Sequence, residues 1–202
     1  MVEQMDNTLN SDNHIREKII EASRDIFARF GFKKTTMVEI AQAVNKAKSS
    51  IYHYFRSKEE IFQTVVEKEG EVLKEEISKA MSREIMPQRK LYVYVKTKML
   101  SLNRLVNFYN ALKDEYLNRH YNFIGKIREK YHQYEIELVK ETLHGGIKDG
   151  IFVTSNIDDT ALAITTALKG LEHPWFDSYD ISRIEENINS LLAILFKGIK
   201  QE

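Results

Sequence analysis

Four side chains near residue 50 have the types and spacing to bind a charged polymer through both charge and hydrogen bonds. They follow an i, i+1, i+4, i+5 spacing, which places side chains on one face of an α-helix. A lysine ammonium binds phosphate oxygens or a guanine edge, and hydroxyl and imidazole groups add hydrogen bonds to phosphates or bases. We therefore expect a short helix whose outer face contacts nucleic acid, although each side chain could instead be an ordinary solvated one. The four residues are Lys48, Ser49, Tyr52 and His53.

The residues ahead of this group predict a first helix that helps to position it. Thr36 and Glu39 form a capping box, in which the threonine oxygen accepts from the backbone three residues along and the glutamate reaches back. Apolar residues then recur at helical spacing. They are Met37, Ile40, Ala41 and Val44.

A tight turn and a second helix follow. Asn45 stands at the turn, and asparagine tolerates the left-handed backbone conformation that tight turns require. The second helix is predicted over about residues 48–55, with Ile51 and Phe55 one turn apart on its inner side. Their burial would direct the four polar side chains outward.

Charge is concentrated in the same segment. Between Arg29 and Lys58 there are seven basic residues and one acid, Glu39, which gives this segment a net charge of +6. The whole chain has 30 basic and 30 acidic residues, so the remainder is at −6. A basic segment on a neutral chain is typical of a nucleic-acid contact surface. A solvated basic face on an ordinary helical bundle is the alternative.

The segment from Ile15 to Phe62 resembles the DNA-binding segment of TetR-type bacterial transcriptional regulators, without gaps. The residues that carry the resemblance are Phe27, Gly31-Phe32, Thr35-Thr36, Ile40-Ala41, Ile51-Tyr52-His53-Tyr54-Phe55 and Ser57-Lys58-Glu59-Glu60-Ile61-Phe62. Beyond this segment the chain is similar to the family in length and helical pattern. At the turn it has Asn45-Lys46-Ala47 where the family usually has Gly-Val-Ser. Ala47 removes the usual side-chain cap of the second helix, a loss of roughly 1 kcal/mol.

The resemblance implies both a function and a set of contacts. Members of the family bind palindromic DNA as homodimers, sense small molecules in a helical body, and repress transcription more often than they activate it. Tyr54 is expected to be core rather than contact, since it sits beside Phe55. The expected DNA contacts are Thr36, Lys48, Ser49, Tyr52, His53 and Lys58.

The pattern along the chain predicts an all-α fold in two domains. Residues 1–13 are expected to be a disordered lead-in, residues 14–57 the three-helix DNA-binding unit, and residues 58–202 a helical effector-binding and dimerisation domain. A helix predicted from Ile157 to Leu171 is apolar nearly all round. Such a helix is buried on both sides, so we expect a second subunit to cover one of them.

Aromatic and methionine residues in the second half could line an effector pocket between helices. An equally ordinary interpretation is a plain hydrophobic core. The candidate lining residues are Tyr92, Met99, Phe108, Tyr109, Tyr116, Tyr131 and Trp175.

An enzyme is disfavoured. Two Glu-x-x-His pairs, Glu129/His132 and Glu141/His144, have the spacing used by di-iron bundles. Both are on one predicted helix, about 18 Å apart, so they cannot share a metal within one subunit. The sequence contains no phosphate loop, dinucleotide glycine pattern or nucleophile elbow. We therefore expect no catalytic site and no cofactor.

Composition fits a cytoplasmic protein. There is no cysteine, hence no disulfide or thiolate metal site. No apolar run approaches the roughly 18 residues needed to span a membrane, and the N-terminus lacks the regions of a signal peptide. The alternative to DNA binding is a helical protein-interaction module that uses the three-helix unit for a protein partner.

Overall fold

The chain is built of α-helices, as its low content of proline and glycine indicates. The computed structural model describes residues 2–108, 122–176 and 181–199, and gives side-chain surroundings for 12–105, 126–127, 129–170 and 185–199. The predicted all-α fold is confirmed over the described residues. Its helices there are α1 Val2–Lys34, α2 Met37–Ala43, α3 Lys48–Tyr54, α4 Lys58–Ser82, α5 Pro87–Phe108, α6 Asn122–Lys148, α7 Ile157–Phe176 and α8 Ile181–Ile199.

Helix α1 begins earlier than predicted. Residues 2–13, expected to be disordered, are helical from Val2 onward, and they contain no proline or glycine that would interrupt a helix. The hydroxyl of Tyr54 donates to Asp12 at 3.2 Å, which ties this part of α1 to the end of α3. At the other end Gly31 adopts φ 78° and ψ 163° and interrupts the helix, as expected of a glycine near a helix end.

Two other helices are longer than the periodicity predicts. Apolar periodicity predicts separate helices over about 88–102 and 105–117, but α5 is continuous from Pro87 to Phe108, because no glycine or proline separates the two stretches. The rest of the second stretch lies outside the described residues. Helix α7 continues through Pro174, past the predicted end at Leu171. A proline in the last turn removes one backbone hydrogen bond without breaking the turns before it.

The chain forms two compact units. One consists of Met1–Glu69 with Asn107–Ile124, and the other of Gly70–Val106 with Gly125–Glu202. The division falls inside α4, so this helix contributes to both units, whereas the sequence placed the domain boundary at its first residue. We call the second unit the body.

Three phenylalanines form the centre of the first unit. Phe27 of α1 and Phe62 of α4 meet edge to face with ring centroids 5.0 Å apart, and Phe32 lies 4.9 Å from Phe62. All three are at most 6% exposed. Aromatic pairs in this geometry add to the free energy gained by burying their area, so α1 and α4 form the base on which the shorter helices pack.

The core of the body is apolar and draws on α4 to α8. Its buried residues include Ile77, Leu91, Tyr94, Val95, Met99, Val139, Leu143, Phe152, Ile164, Leu168, Ile188 and Leu192. Among the described residues, no helix combines the length and apolar character needed to cross a bilayer.

An ion pair is enclosed in this core. The ammonium of Lys98 on α5 lies 2.7 Å from the carboxylate of Glu135 on α6, and the two side chains are 3% and 10% exposed. Nearby, Glu76 of α4 accepts from Ser101 at 2.6 Å and from Arg104 at 2.7 Å. Burial alone would raise the pKa of Glu76, but these hydrogen bonds outweigh it and lower the pKa. Polar contacts therefore fix α5 against α4 and α6.

Removing one member of the buried pair should destabilise the body. Glu135→Leu removes the carboxylate that lies 2.7 Å from the buried Lys98 ammonium and should lower the free energy of unfolding by about 3 kcal/mol. Urea denaturation followed by circular dichroism measures this. Glu137→Leu, at an exposed position of the same helix, should cost less than about 1 kcal/mol. The double variant Lys98→Met/Glu135→Leu should recover most of the loss; equal losses in Glu135→Leu and the control would contradict this account.

Candidate nucleic-acid interface

The capping box at the start of α2 forms as predicted. The amide of Thr36 donates to Glu39 at 2.7 Å, and the amide of Glu39 donates to the Thr36 hydroxyl oxygen at 3.3 Å. Met37, Ile40 and Ala41 are buried, while Thr36 and Glu39 are exposed. Helix α2 is thus fixed at its first residue and by its inner face.

The turn between α2 and α3 depends on Asn45. Its φ is 53°, and among the described residues it is the one non-glycine residue with positive φ. The amide of Lys46 donates to the carbonyl of Ala41 at 2.9 Å and closes the turn. Asparagine is among the few residues that tolerate this conformation, so its replacement of the family's glycine preserves the geometry.

Helix α3 is oriented by two buried side chains. Ile51 is 0% and Phe55 1% exposed, and the Arg16 guanidinium lies 4.8 Å from the centre of the Phe55 ring. The outer face carries the four predicted residues, and Lys48, Ser49, Tyr52 and His53 are all exposed.

Lys48 and Tyr52 lie one turn apart on this outer face, with the Lys48 ammonium 5.9 Å from the centre of the Tyr52 ring. This distance is at the limit of a cation–π contact. Helix α3 contains no acidic residue. The face therefore offers one ammonium, two hydroxyls and an imidazole with no carboxylate on the same helix to repel a phosphate.

Tyr54 faces the other way, as expected. It is half-buried, its hydroxyl donates to Asp12, and its pKa is raised by burial first and by the negative charge of Asp12 second. It belongs to the support of α3 and not to the outer face.

Lys58 has a different environment from the other predicted contacts. Its ammonium donates to the carbonyls of Phe32 at 2.7 Å and Thr35 at 2.8 Å, and it lies 4.2 Å from the Phe32 ring. These contacts occupy two of its three N–H groups and hold the connection between α1 and α2. A direct contact with DNA through the third N–H stays a prediction.

Other exposed basic residues of the first unit were counted in the charge of the segment but not named as contacts. They are not among the residues that carry the resemblance. Their exposure makes them candidates for phosphate contacts, and the signal that could have found them is the local charge excess. They are Arg29, Lys33, Lys34, Lys46 and Arg56.

The comparisons with known proteins agree with this geometry. The family description "Bacterial regulatory proteins, tetR family" matches residues 19–65, which include α2, α3 and the turn between them. A transcriptional regulator from Cytophaga hutchinsonii has the same fold over most of its length, with 28% identity, a TM-score of 0.78, and coverage of 92% of this chain and 98% of that one. Residues 19–65 are thus similar to the TetR family.

Curated relatives divide into local and full-length matches. The uncharacterised HTH-type transcriptional regulator YhgD of Bacillus subtilis is 35% identical over 66 residues, which are 33% of this chain and 35% of that protein. The HTH-type transcriptional regulator QacR of Staphylococcus aureus is 21% identical over 191 residues, 91% of this chain and 94% of its own length. The chain thus spans about a third of the former and nearly all of the latter.

Of the predicted pocket residues, three have described side chains. Met99 is buried in the body core, and Tyr92 is half-buried beneath the Arg89 guanidinium, 5.1 Å from its ring centre. Tyr131 is half-buried and packs against α4 at Gly70. The side chains of Phe108, Tyr109, Tyr116 and Trp175 lie outside the described residues. Pocket lining by this set stays a prediction.

One member of each Glu-x-x-His pair makes a hydrogen bond within α6 itself. Glu129 accepts from Gln133 at 3.0 Å, and the His144 Nδ1 lies 3.0 Å from the carbonyl of Lys140. In the part of the chain that the structure describes, no three His, Cys, Asp or Glu side chains are grouped to hold a metal ion.

The missing cap of α3 can be restored. Ala47 stands at the N-cap position with extended backbone and makes no side-chain cap hydrogen bond. Ala47→Ser should raise the free energy of unfolding by about 0.5–1 kcal/mol, because a serine hydroxyl can accept from a first-turn amide. Thermal or urea denaturation measures the change. Ala43→Ser, exposed at the end of α2, should give no gain; equal effects of the two would argue against a specific capping defect.

Proposed function

We propose that this TetR-like chain is a homodimeric, DNA-binding transcriptional regulator, a repressor, released from or re-set on its operator by a small-molecule effector. The observation that carries the proposal is the outer face of α3. Ile51 and Phe55 are buried beneath it, and Lys48, Ser49, Tyr52 and His53 are exposed on it, within a segment of net charge +6.

The residue types suggest which side chains would contact bases and which would contact phosphates. A recognition helix enters the major groove with its N-terminal residues nearest the bases. Lys48 and Ser49 stand at that end and are suited to base edges, Lys48 to guanine in particular. Tyr52 and His53 lie one turn later and are suited to phosphates, as is Thr36 at the start of α2. Lys58 would contribute mainly by holding the connection between α1 and α2, where its ammonium donates to the carbonyls of Phe32 and Thr35.

The exposed faces of α7 and α8 support a dimer. On α7 the residues Ala161, Ile164 and Leu168 are buried, while Leu162, Ala163, Thr166 and Ala167 are exposed. On α8 Ile194 is 72% exposed. Small and apolar residues on the outside of two helices are suited to packing against the same helices of a second copy. A two-fold dimer would present its recognition helices to successive major grooves, about 34–36 Å apart, and would prefer a palindromic site.

The effector is assigned to the body, where family members sense small molecules. Effector binding and operator binding would be reciprocally coupled, because both would shift the same conformational equilibrium of the protein. The described interior contains both a charged pair and apolar residues, so the chemical class of the effector is left open.

DNA binding is tested by gel-shift titration on a palindromic fragment of a promoter near the coding sequence, with a scrambled fragment as competitor. The expected result is preferential binding whose affinity falls as salt rises, because phosphate contacts release counterions. Binding that is absent, or that is independent of salt, would contradict the proposal and favour a protein-interaction module.

Lys48→Ala should weaken operator binding and make it less dependent on salt. Losing one phosphate contact should reduce the slope of log K against log salt by about 0.9. If Lys48 binds a guanine edge instead, the variant should discriminate less between bases at one operator position, and the salt slope should be preserved. Lys79→Ala, an exposed lysine in the body half of α4, is the matched control and should retain wild-type affinity. Wild-type binding by Lys48→Ala would remove this residue from the interface.

Charged substitutions on the exposed α7 and α8 faces should produce monomers. Leu162→Glu and Ile194→Glu each place a carboxylate in the proposed interface, where it would be buried without a partner. Light scattering after gel filtration should give the mass of a single chain for these variants. Ile85→Glu, in the loop between α4 and α5 where Ile85 is 90% exposed, should remain dimeric. A wild-type protein that is itself monomeric would contradict the proposed assembly.

A further inference from the structure

Two side chains of α1, one turn apart, contact the carboxyl-terminal end of α3. The Asp12 carboxylate accepts from the Tyr54 hydroxyl at 3.2 Å, and the Arg16 guanidinium lies 4.8 Å from the centre of the Phe55 ring. Residues four apart on a helix lie on the same face, so one face of α1 contacts two consecutive residues where α3 ends. Both α1 residues precede residues 19–65, the part of the chain that the TetR family description matches.

The Tyr54 ring extends the contact from Asp12 to a residue of the outer face of α3. The rings of His53 and Tyr54 meet edge to face, with their centroids 5.2 Å and their planes 89° apart, an arrangement that aromatic pairs favour. Tyr54 is half-buried, whereas His53 is exposed. The hydrogen bond from the Tyr54 hydroxyl to Asp12 therefore fixes the ring against which the His53 imidazole packs.

The orientation of His53 matters because a ring nitrogen must meet a phosphate oxygen for a hydrogen bond to form. Fixing a freely rotating side chain at the moment of binding costs conformational entropy. An imidazole that already packs on a fixed ring avoids part of that cost. The negative charge of Asp12 acts in the opposite direction, since a carboxylate near the interface repels phosphates. The hydrogen bond and the charge of Asp12 therefore predict opposite effects on operator affinity.

We infer that Asp12 is a positioning residue for operator recognition, which holds the His53 imidazole through the Tyr54 ring in the orientation that contacts DNA. The inference rests on the proposed function. All three residues lie within the first compact unit. A part of α1 ahead of the segment that resembles TetR-type regulators would thus contribute to operator affinity without touching the duplex.

Substitutions of Asp12 separate the effect of its hydrogen bond from that of its charge. Asp12→Ala removes both and should raise the operator Kd by about threefold to tenfold, the factor that corresponds to immobilising one side chain at an interface. Asp12→Asn removes the charge but keeps an oxygen that accepts from the Tyr54 hydroxyl, so its Kd should equal the wild-type value or lie below it. Glu21→Ala, at an exposed acid of the same helix, is the control for lost charge and should change the Kd by less than about twofold, because exposed charges are screened.

A double-mutant cycle establishes whether Asp12 acts through His53. His53→Ala alone should raise the operator Kd, as expected of a contact residue. In the His53→Ala background, Asp12→Ala should have almost no further effect, because no imidazole remains to be oriented. Such non-additivity is expected of coupled residues, whereas a general loosening of α1 would add to the effect of His53→Ala. Circular dichroism and gel filtration establish that each variant is folded.

Tyr54→Phe tests the same link from the other side. It keeps the ring but removes the hydroxyl that donates to Asp12, so it should raise the operator Kd as Asp12→Ala does. The two substitutions together should have no more effect than either alone. If Asp12→Ala folds poorly, the cycle of Tyr54→Phe with His53→Ala decides in its place.

The outcomes separate this inference from the proposed function. A wild-type protein with no specific binding would contradict the proposed function and this inference together. Specific wild-type binding with an unchanged or lowered Kd in Asp12→Ala would contradict only the inference, and a lowered Kd would show that Asp12 acts by repulsion alone. Equal losses in Asp12→Ala and Asp12→Asn, additive effects in the cycle, or an unchanged Kd in His53→Ala would also overturn it.

Discussion

The burial of Ile51 and Phe55 is the constraint on which the candidate interface depends. Helix α3 spans only Lys48–Tyr54, and a helix of two turns has no stability of its own in water. Its cap position carries alanine, which contributes no side-chain hydrogen bond. Packing therefore holds the helix, and the same two side chains decide which face is outward. The identity of the exposed residues follows from the identity of the buried ones.

Local features of this region were predictable because each depends on neighbours in sequence. The Thr36–Glu39 capping box and the turn at Asn45 follow from residue type and spacing over a few positions. The early start of α1 was missed because polar residues without periodicity look disordered, although nothing in them prevents a helix.

Features that depend on residues distant in sequence were not predictable from the pattern. Lysine is almost always exposed, so no local pattern predicts that Lys98 lies in the core, where Glu135 compensates its charge. Lys58 was expected to contact DNA because of the resemblance, and only the fold brings the carbonyls of Phe32 and Thr35 to its ammonium. Apolar periodicity identifies the buried face of a helix but not the residues that cover that face. The packing of Tyr131 on Gly70 could therefore not be predicted from it.

The positive φ of Asn45 has a consequence for the thermodynamics of recognition. The amide of Lys46 donates to the carbonyl of Ala41 and closes the turn within the protein. The angle between α2 and α3 is therefore set before the protein binds DNA. Ordering a flexible connection at the moment of association would cost conformational entropy for each residue fixed. A pre-organised turn avoids that loss, so more of the interaction free energy remains to discriminate one base sequence from another.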